Sequence, residues 1–230
     1  MALNKQSGNM YDFVTHMWSP CKGRCSHDCN YCFMKRFPLP PLHLDERDLR
    51  TNLGKDHFIF VGHTVDLFAK DVPEEWIKRV LERCRQFPTN KYLFQSKNPV
   101  RFRPFMDLFP EKVVLGTTIE TNRTIYVESK APSYTGRAAA IGELGRMGYE
   151  TIITIEPIFD FDLVELSEMI ISANPTWINI GADSKRHKLP EPSKAKIVEL
   201  INTLKAKINV KLKSNLKRIL EQPDEFLETK

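Results

Sequence analysis

This 230-residue chain contains no apolar run approaching the ~20 residues of a membrane span. Its start, Met1-Ala2-Leu3-Asn4-Lys5-Gln6-Ser7-Gly8, lacks the apolar centre of a signal peptide. No internal repeat, low-complexity stretch or Gly/Ser linker divides it. These absences exclude a membrane-spanning helix, a solenoid and a string of tethered domains, and the expected location is cytoplasmic. A hydrophobic content of 41% excludes disorder and suffices for a large core. Cysteine is scarce as well: five residues, an odd number in a long chain with no sign of export, argue against a disulfide framework.

Four of the five cysteines nevertheless fall within twelve residues: Cys21, Cys25, Cys29 and Cys32. The last three are spaced C-x3-C-x2-C, with Tyr31 directly before the final one. Three thiolates so close together can cap three irons of a cubane cluster and leave the fourth open for chemistry. The competing reading is a zinc site that uses all four. Structural zinc usually takes two knuckles a dozen or more residues apart, whereas this set holds a single C-x2-C pair and has no second knuckle downstream. The cluster is therefore preferred to zinc, and zinc to disulfides. Cys84 shares a helical stripe with Ile77, Val80 and Leu81 and reads as a small core residue.

Strand-like and helix-like segments alternate along the chain. Strands are expected at Phe13–Met17, His57–Val61, Lys91–Phe94, Lys112–Gly116, Thr151–Ile155, Trp177–Ile180 and Asn209–Leu212, all short apolar runs rich in Val, Ile and Phe. Asp71-Val72-Pro73-Glu74 offers an N-cap, an early proline and a capping-box glutamate for a helix over Trp76–Phe87. Ile197, Leu200, Ile201, Leu204 and Ile208 recur at helical spacing after Pro192-Ser193. The prolines of Phe37-Pro38-Leu39-Pro40-Pro41-Leu42 mark an irregular excursion. This alternation gives an α/β chain of βαβ units, expected as a single-domain, partial or near-complete parallel (β/α)6–7 TIM-like barrel over residues 1–230, with its core at 12–218.

In a barrel, active sites assemble at the C-terminal ends of the strands, and each expected strand here runs into polar residues. These are the cysteine loop, then Gly62-His63-Thr64-Val65-Asp66, Gln95-Ser96-Lys97 and Thr117-Thr118-Ile119-Glu120-Thr121. Glu156-Pro157, Gly181-Ala182-Asp183-Ser184 and Lys213-Ser214-Asn215 complete the set. Any one alone is an ordinary strand-end turn; seven in register form one polar mouth.

The net charge of +5 is uneven. Residues 185–218 hold eleven Lys and Arg against Glu191 and Glu199, while the tail 219–230 is acidic at −3. Such a basic segment either holds a phosphate-bearing partner, nucleotide or nucleic acid, or is a solvated helix face.

The cysteine motif resembles the signature of the radical S-adenosylmethionine (radical SAM) superfamily. The chain more widely resembles a small, phage-associated branch of it, largely of unassigned activity and related to spore photoproduct lyase. The matching stretches are Trp18-Ser19-Pro20 with the cysteines, Asp66-Leu67-Phe68 with Asp71-Val72-Pro73, and Gln95-Ser96-Lys97. They continue through Gly116–Thr121, Ile155–Ile158, Ile180–Ser184 and Lys211–Leu216, and so cover most of residues 12–218. The resemblance implies that Cys25, Cys29 and Cys32 bind a [4Fe–4S] cluster whose open iron chelates S-adenosylmethionine. A flavodoxin- or ferredoxin-type donor supplies the electron that releases a 5′-deoxyadenosyl radical.

Residue roles follow from the same likeness. Tyr31 lies against the adenine; Gly62, His63 and Thr64 stand in place of the superfamily's Gly-Gly-Glu element, whose backbone holds the amino group, and their departure from it leaves their side-chain roles open; Lys97 pairs with the carboxylate. Thr118 and Glu120 face the ribose. Asp66, Glu156, Asp183 and Lys213 are candidates for substrate contacts or for a buried ion pair. No cysteine stands out as a hydrogen donor, which favours nucleobase or nucleoside modification over lesion repair. The alternative function is a non-catalytic zinc-knuckle protein that binds nucleic acid.

Overall fold

Short runs of β-branched and aromatic residues build the sheet, because such side chains fit a pleated, buried surface. The computed structural model describes residues 3–123, 129–184, 187 and 190–221. Its strands are β1 (Asn4–Lys5), β2 (His16–Trp18), β3 (Cys21–Lys22), β4 (His43–Leu44), β5 (Phe58–Val61), β6 (Lys91–Gln95), β7 (Val113–Thr118), β8 (Glu150–Ile155), β9 (Trp177–Ile180) and β10 (Asn209–Leu212). Its α-helices are α1 (Glu46–Leu49), α2 (Glu74–Arg85), α3 (Tyr134–Arg146), α4 (Leu163–Ala173), α5 (Lys194–Lys205) and α6 (Lys217–Leu220). All seven expected strands form, with ends shifted by up to three residues. The first starts at His16 rather than Phe13.

Eight strands make one sheet in the order β1-β2-β5-β6-β7-β8-β9-β10. β1 runs antiparallel to β2, and the other neighbours are parallel. β3 and β4 form a separate antiparallel ribbon beside the cysteines. Crossovers of constant hand between sequentially ordered strands place every helix on the same side of the sheet. Accordingly Ile59, Val61, Phe94, Leu115, Ile153 and Ile178 share one core with Ile77 and Leu81 of α2, Ile141 of α3, Ile170 of α4 and Leu200 of α5. Each fully buried side chain of this kind contributes roughly 1.5–3 kcal/mol.

The other face carries the alternate residues Phe60, Leu93, Val114, Ile152 and Trp177. The chain's own segment before β2 lies on it. Phe13 stands 5.1 Å from Phe58 and 5.3 Å from Trp177, ring to ring, and the Tyr11 hydroxyl reaches Gln95 Oε1 (2.7 Å) and Thr154 Oγ1 (2.9 Å). The sheet is open among the described residues, so of the partial or near-complete barrel expected, the parallel α/β sheet forms without closure: β1 takes the free edge of β2, and β10 has no partner there.

α2 begins with Pro73 at its N-cap and no side-chain cap, so Asp71 does not fill the expected capping role. Ser193 does cap α5, accepting from Lys196 N–H. Of the basic segment, Lys185, Arg186 and Lys188 lie outside the described residues, as does 222–230 of the acidic tail. Several of the remaining cations are engaged internally. Lys196 pairs with Asp160 at 2.6 Å, Lys213 with Glu156 at 2.7 Å and Arg218 with Glu191 at 2.8 Å. Lys211 Nζ sits 4.2 Å from the centre of the Trp177 ring. No helix of the described residues is long and apolar enough to cross a membrane.

Candidate active site

The cysteine loop leaves β2 at Trp18, whose indole N–H is fixed on Asp48 O at 2.9 Å. Cys21 follows in β3, opposite Leu44, and is buried in the main apolar core. Burial pushes its thiol up to about 12. Gly23, at φ +100°, lets the proline excursion return close by: a Cβ there would meet Pro41 O at 2.4 Å. The chain then turns through Asp28 N–H to Cys25 O and Cys32 N–H to Cys29 O, both 3.2 Å.

Cys25, Cys29 and Cys32 open onto a cleft of about 1080 Å³ at the C-terminal ends of the strands, which Cys21 does not reach. All are free thiols. Burial, reinforced by the charge of Asp66, pushes Cys25 up to about 11. Among the described residues no three Cys, His, Asp or Glu side chains converge on a single ion. The zinc-knuckle alternative needs four thiolates around one metal, and Cys21 lies in the apolar core, off the cleft that the other three line. A cubane asks less of the protein, because each thiolate meets a different iron.

Asp66 fastens this loop to the sheet. Its Oδ2 accepts from His27 Nε2 (2.7 Å), Ser96 Oγ (2.9 Å) and Lys97 N–H (2.8 Å), and its Oδ1 from Phe68 N–H (2.9 Å). Burial raises its pKa, but the bond and charge of His27 and the backbone donors outweigh it, so the carboxyl lies below its usual range. Asp66 lines the cleft, yet its acceptor sites serve the protein itself.

Glu120 is fully buried and absent from the cleft wall. It accepts from the Tyr31 hydroxyl, pairs with Arg137 Nη1 at 3.1 Å and lies 3.5 Å from Lys97 Nζ. Its carboxylate, expected to face the ribose, is thus engaged by Tyr31 of the cysteine loop and by Arg137 of α3. Tyr31 is wedged edge-on to Phe159, 5.4 Å away, and burial with the neighbouring Glu120 charge raises its pKa well above normal. Lys97 Nζ remains at the cleft, 5.3 Å from the Tyr31 ring. Burial opposes its charge, but Cys29 and Glu120 outweigh burial and raise its pKa. Thr118 also lines the cleft and accepts from Gln95 Nε2 at 2.9 Å.

Gly62 ends β5 at φ +78°, with its N–H on Trp18 O at 2.8 Å. Next to it, His63 Nδ1 meets Ser19 Oγ at 2.8 Å, and burial drops its pKa to about 4. Thr64 Oγ1 is buried with no hydrogen-bond partner among the described residues, as an atom that serves a ligand would be.

On the far side of the cleft, Glu156 receives Asn9 Nδ2 (2.6 Å), Asn215 Nδ2 (2.8 Å) and Lys213 Nζ (2.7 Å). Gly181 leaves the room: a Cβ there would lie 2.8 Å from Glu156 Oε1. Asp183 holds His187, Oδ1 to Nδ1 at 2.8 Å. Of the residues given a cofactor, substrate or metal role from sequence, all except Glu120 thus line one cleft. Sequence reasoning missed Asn9, Tyr11, His27, Arg137 and His187. The one signal available was His27, which sits inside the cysteine motif.

Residues 41–141 match the family model described as "Protein of unknown function (DUF5131)". No curated protein matches the chain. Among solved structures it is similar to a mutant of spore photoproduct lyase with bound AdoMet and dinucleoside spore photoproduct, with a TM-score of 0.57 at 13% identity, covering 88% of this chain and 64% of that one. It is also similar to Streptococcus suis SuiB bound to S-adenosylmethionine, with a TM-score of 0.57, 9% identity and coverage of 85% and 49%. For methylornithine synthase (PylB) the TM-score is 0.53, with 12% identity and coverage of 90% and 77%. The chain therefore spans less than two thirds of the lyase and about half of SuiB, and what it shares with them is the fold.

Proposed function

We propose that this protein is a radical SAM enzyme acting on a nucleobase, nucleoside or nucleic acid. The observation that carries the reading is the placement of Cys25, Cys29 and Cys32 in one cleft with the polar ends of the parallel strands. Their spacing supplies three thiolates and no fourth, as a cluster with an open iron requires. Two solved structures of the same fold are described as holding AdoMet or S-adenosylmethionine. Placement in the phage-associated branch rests on the matching stretches of sequence.

With a [4Fe–4S] cluster on the three cysteines and S-adenosylmethionine bound, the chemistry supplied is reductive cleavage to a 5′-deoxyadenosyl radical, driven by a flavodoxin- or ferredoxin-type donor. The chain's own residues position and enclose. Asp66 and Glu120 lock the two ends of the cysteine loop through His27 and Tyr31. Lys97 offers a cation to a carboxylate, Gly62 a left-handed turn that brings backbone to the cleft, and Thr64 an unused hydroxyl. Across the cleft, Lys213 Nζ is paired with Glu156 Oε2 at 2.7 Å, so this pair adds no net charge to the substrate side.

The base-directed substrate is supported by the mixture of rings and amides there: Tyr11, Phe60, Asn9 and Gln95 all line the cleft. Among the described residues no cysteine beyond the three ligands faces it, since Cys21 and Cys84 are packed in the core. That favours modification over a repair that ends in hydrogen donation from a thiol. Anaerobic incubation with S-adenosylmethionine and dithionite, scored for 5′-deoxyadenosine, tests the reading. Absence of product from cluster-loaded protein rejects it.

A further inference from the structure

We propose that the outer rim of the cleft, carried by Phe33 and Phe37, is a stacking platform for the unpaired bases of a single-stranded nucleic acid whose target base enters the cleft. This rests on the radical SAM reading above and adds the form of the substrate and the surface that receives it. Phe33 is 38% exposed and Phe37 56%, and no other Phe, Tyr or Trp among the described residues falls in the exposed class. Both belong to a stretch, residues 33–41, in which nothing is buried. The stretch follows directly on Cys32 and forms a short 3₁₀ turn, Phe33–Arg36. Large rings are normally among the more buried side chains; two left bare at a cleft mouth are placed for something outside the chain.

The company of these rings defines the partner. Arg24, Lys35, Arg36 and Lys130 are all exposed around them, against the single carboxylate of Asp28, which Lys35 (2.7 Å) and Lys130 (3.5 Å) share. Lys70 and Asp71, also on the cleft wall, cancel. Arg36, exposed and directly before Phe37 in the chain, has no ion-pair or hydrogen-bond partner among the described residues. Alternation of aromatic rings with cations is the arrangement that tracks a phosphate backbone while bases stack. A duplex hides its base faces and gains nothing from exposed rings.

An electron-transfer protein docked by the same cations would sit outside the site. Phe33 and Phe37 instead line the cleft itself, so whatever covers them continues inward. Of the basic segment 185–218, Lys196, Lys213 and Arg218 are paired within the fold.

The test is binding of a labelled oligothymidylate to the anaerobic, cluster-loaded protein, by fluorescence anisotropy. Wild type should bind it with strong salt dependence and bind the matching duplex more weakly. Phe33→Ala and Phe37→Ala should each weaken binding by on the order of 10-fold or more, Phe37→Trp should retain it, and Arg36→Gln should lower the salt slope by about one. Circular dichroism and cluster absorbance establish that each variant is folded and loaded. The proposal is overturned by a wild type that binds no oligonucleotide, by tighter binding of duplex, or by unchanged affinity in Phe33→Ala/Phe37→Ala. It is equally overturned if that double variant keeps full affinity and loses only turnover driven by a protein reductant, which assigns the rim to an electron donor. Dithionite-driven 5′-deoxyadenosine formation by wild type reports on the function reading separately.

Discussion

Replacing Asp66 by Asn keeps the size of the side chain and removes its charge, so it isolates what the carboxylate does. Oδ2 holds three donors and Oδ1 a fourth, within 2.7–2.9 Å. An amide has one oxygen. If that oxygen takes the crowded position, its NH2 faces Phe68 N–H, donor against donor. One buried donor left unsatisfied costs about 1–3 kcal/mol, and bonds to a charged acceptor weaken from about 1.5–3 to about 0.5–1.5 kcal/mol each. The expected total is about 3–5 kcal/mol, as for a broken buried pair, against the ~5–15 kcal/mol of a typical fold. Urea titration should show it as a lower midpoint. Because His27 lies between Cys25 and Cys29, iron content per chain should fall as well, with every cysteine intact. A loss below about 1 kcal/mol together with full iron loading would refute the role assigned to Asp66.

Other substitutions probe separate joints of the site. Cys21→Ala should keep its iron and Cys29→Ala should lose it; equal loss from both means that the ligand choice is wrong. Gly181→Ala forces a Cβ to within 2.8 Å of Glu156 Oε1, which should disrupt the Lys213 pair and lower stability by about 1–3 kcal/mol, read by thermal melting; an unchanged Tm removes the steric account. His63 has a folded pKa of about 4, below its ordinary value because of burial. The unfolded chain then binds the extra proton first, and stability contributed by neutral His63 is full above pH ~6.5 and lost as pH falls toward the folded value. About 2 kcal/mol should go between pH 7 and pH 5. His63→Gln should flatten that slope; an equally steep slope in the variant assigns it to other groups.

The central strands β5–β9 were legible because each is a largely apolar run buried on both faces, a signal that local sequence carries; the outer strand β10 showed only through Val210 and Leu212 and is mostly exposed. β1, β3 and β4 were not, since two residues show no period. The open edge was hidden for a related reason: closure depends on where the first dozen residues go. Tyr11 is fixed by Gln95 and Thr154, 84 and 143 positions away. Glu120 shows a limit of another kind. Alternation gave its neighbourhood correctly, but only the packing of α3 reveals that Arg137 neutralises it and Tyr31 covers it. Cys25, Cys29 and Cys32 stood out by spacing alone, and the structure places all three on the wall of one cleft.

The most direct test of the central claim is the yield of 5′-deoxyadenosine from S-adenosylmethionine under dithionite, measured on anaerobically reconstituted protein beside Cys29→Ala. Wild type should carry iron and acid-labile sulfide in equal amounts and form the nucleoside, while the variant forms none. A fully loaded wild type that leaves S-adenosylmethionine intact, or a protein that takes up zinc in place of iron, would contradict the account.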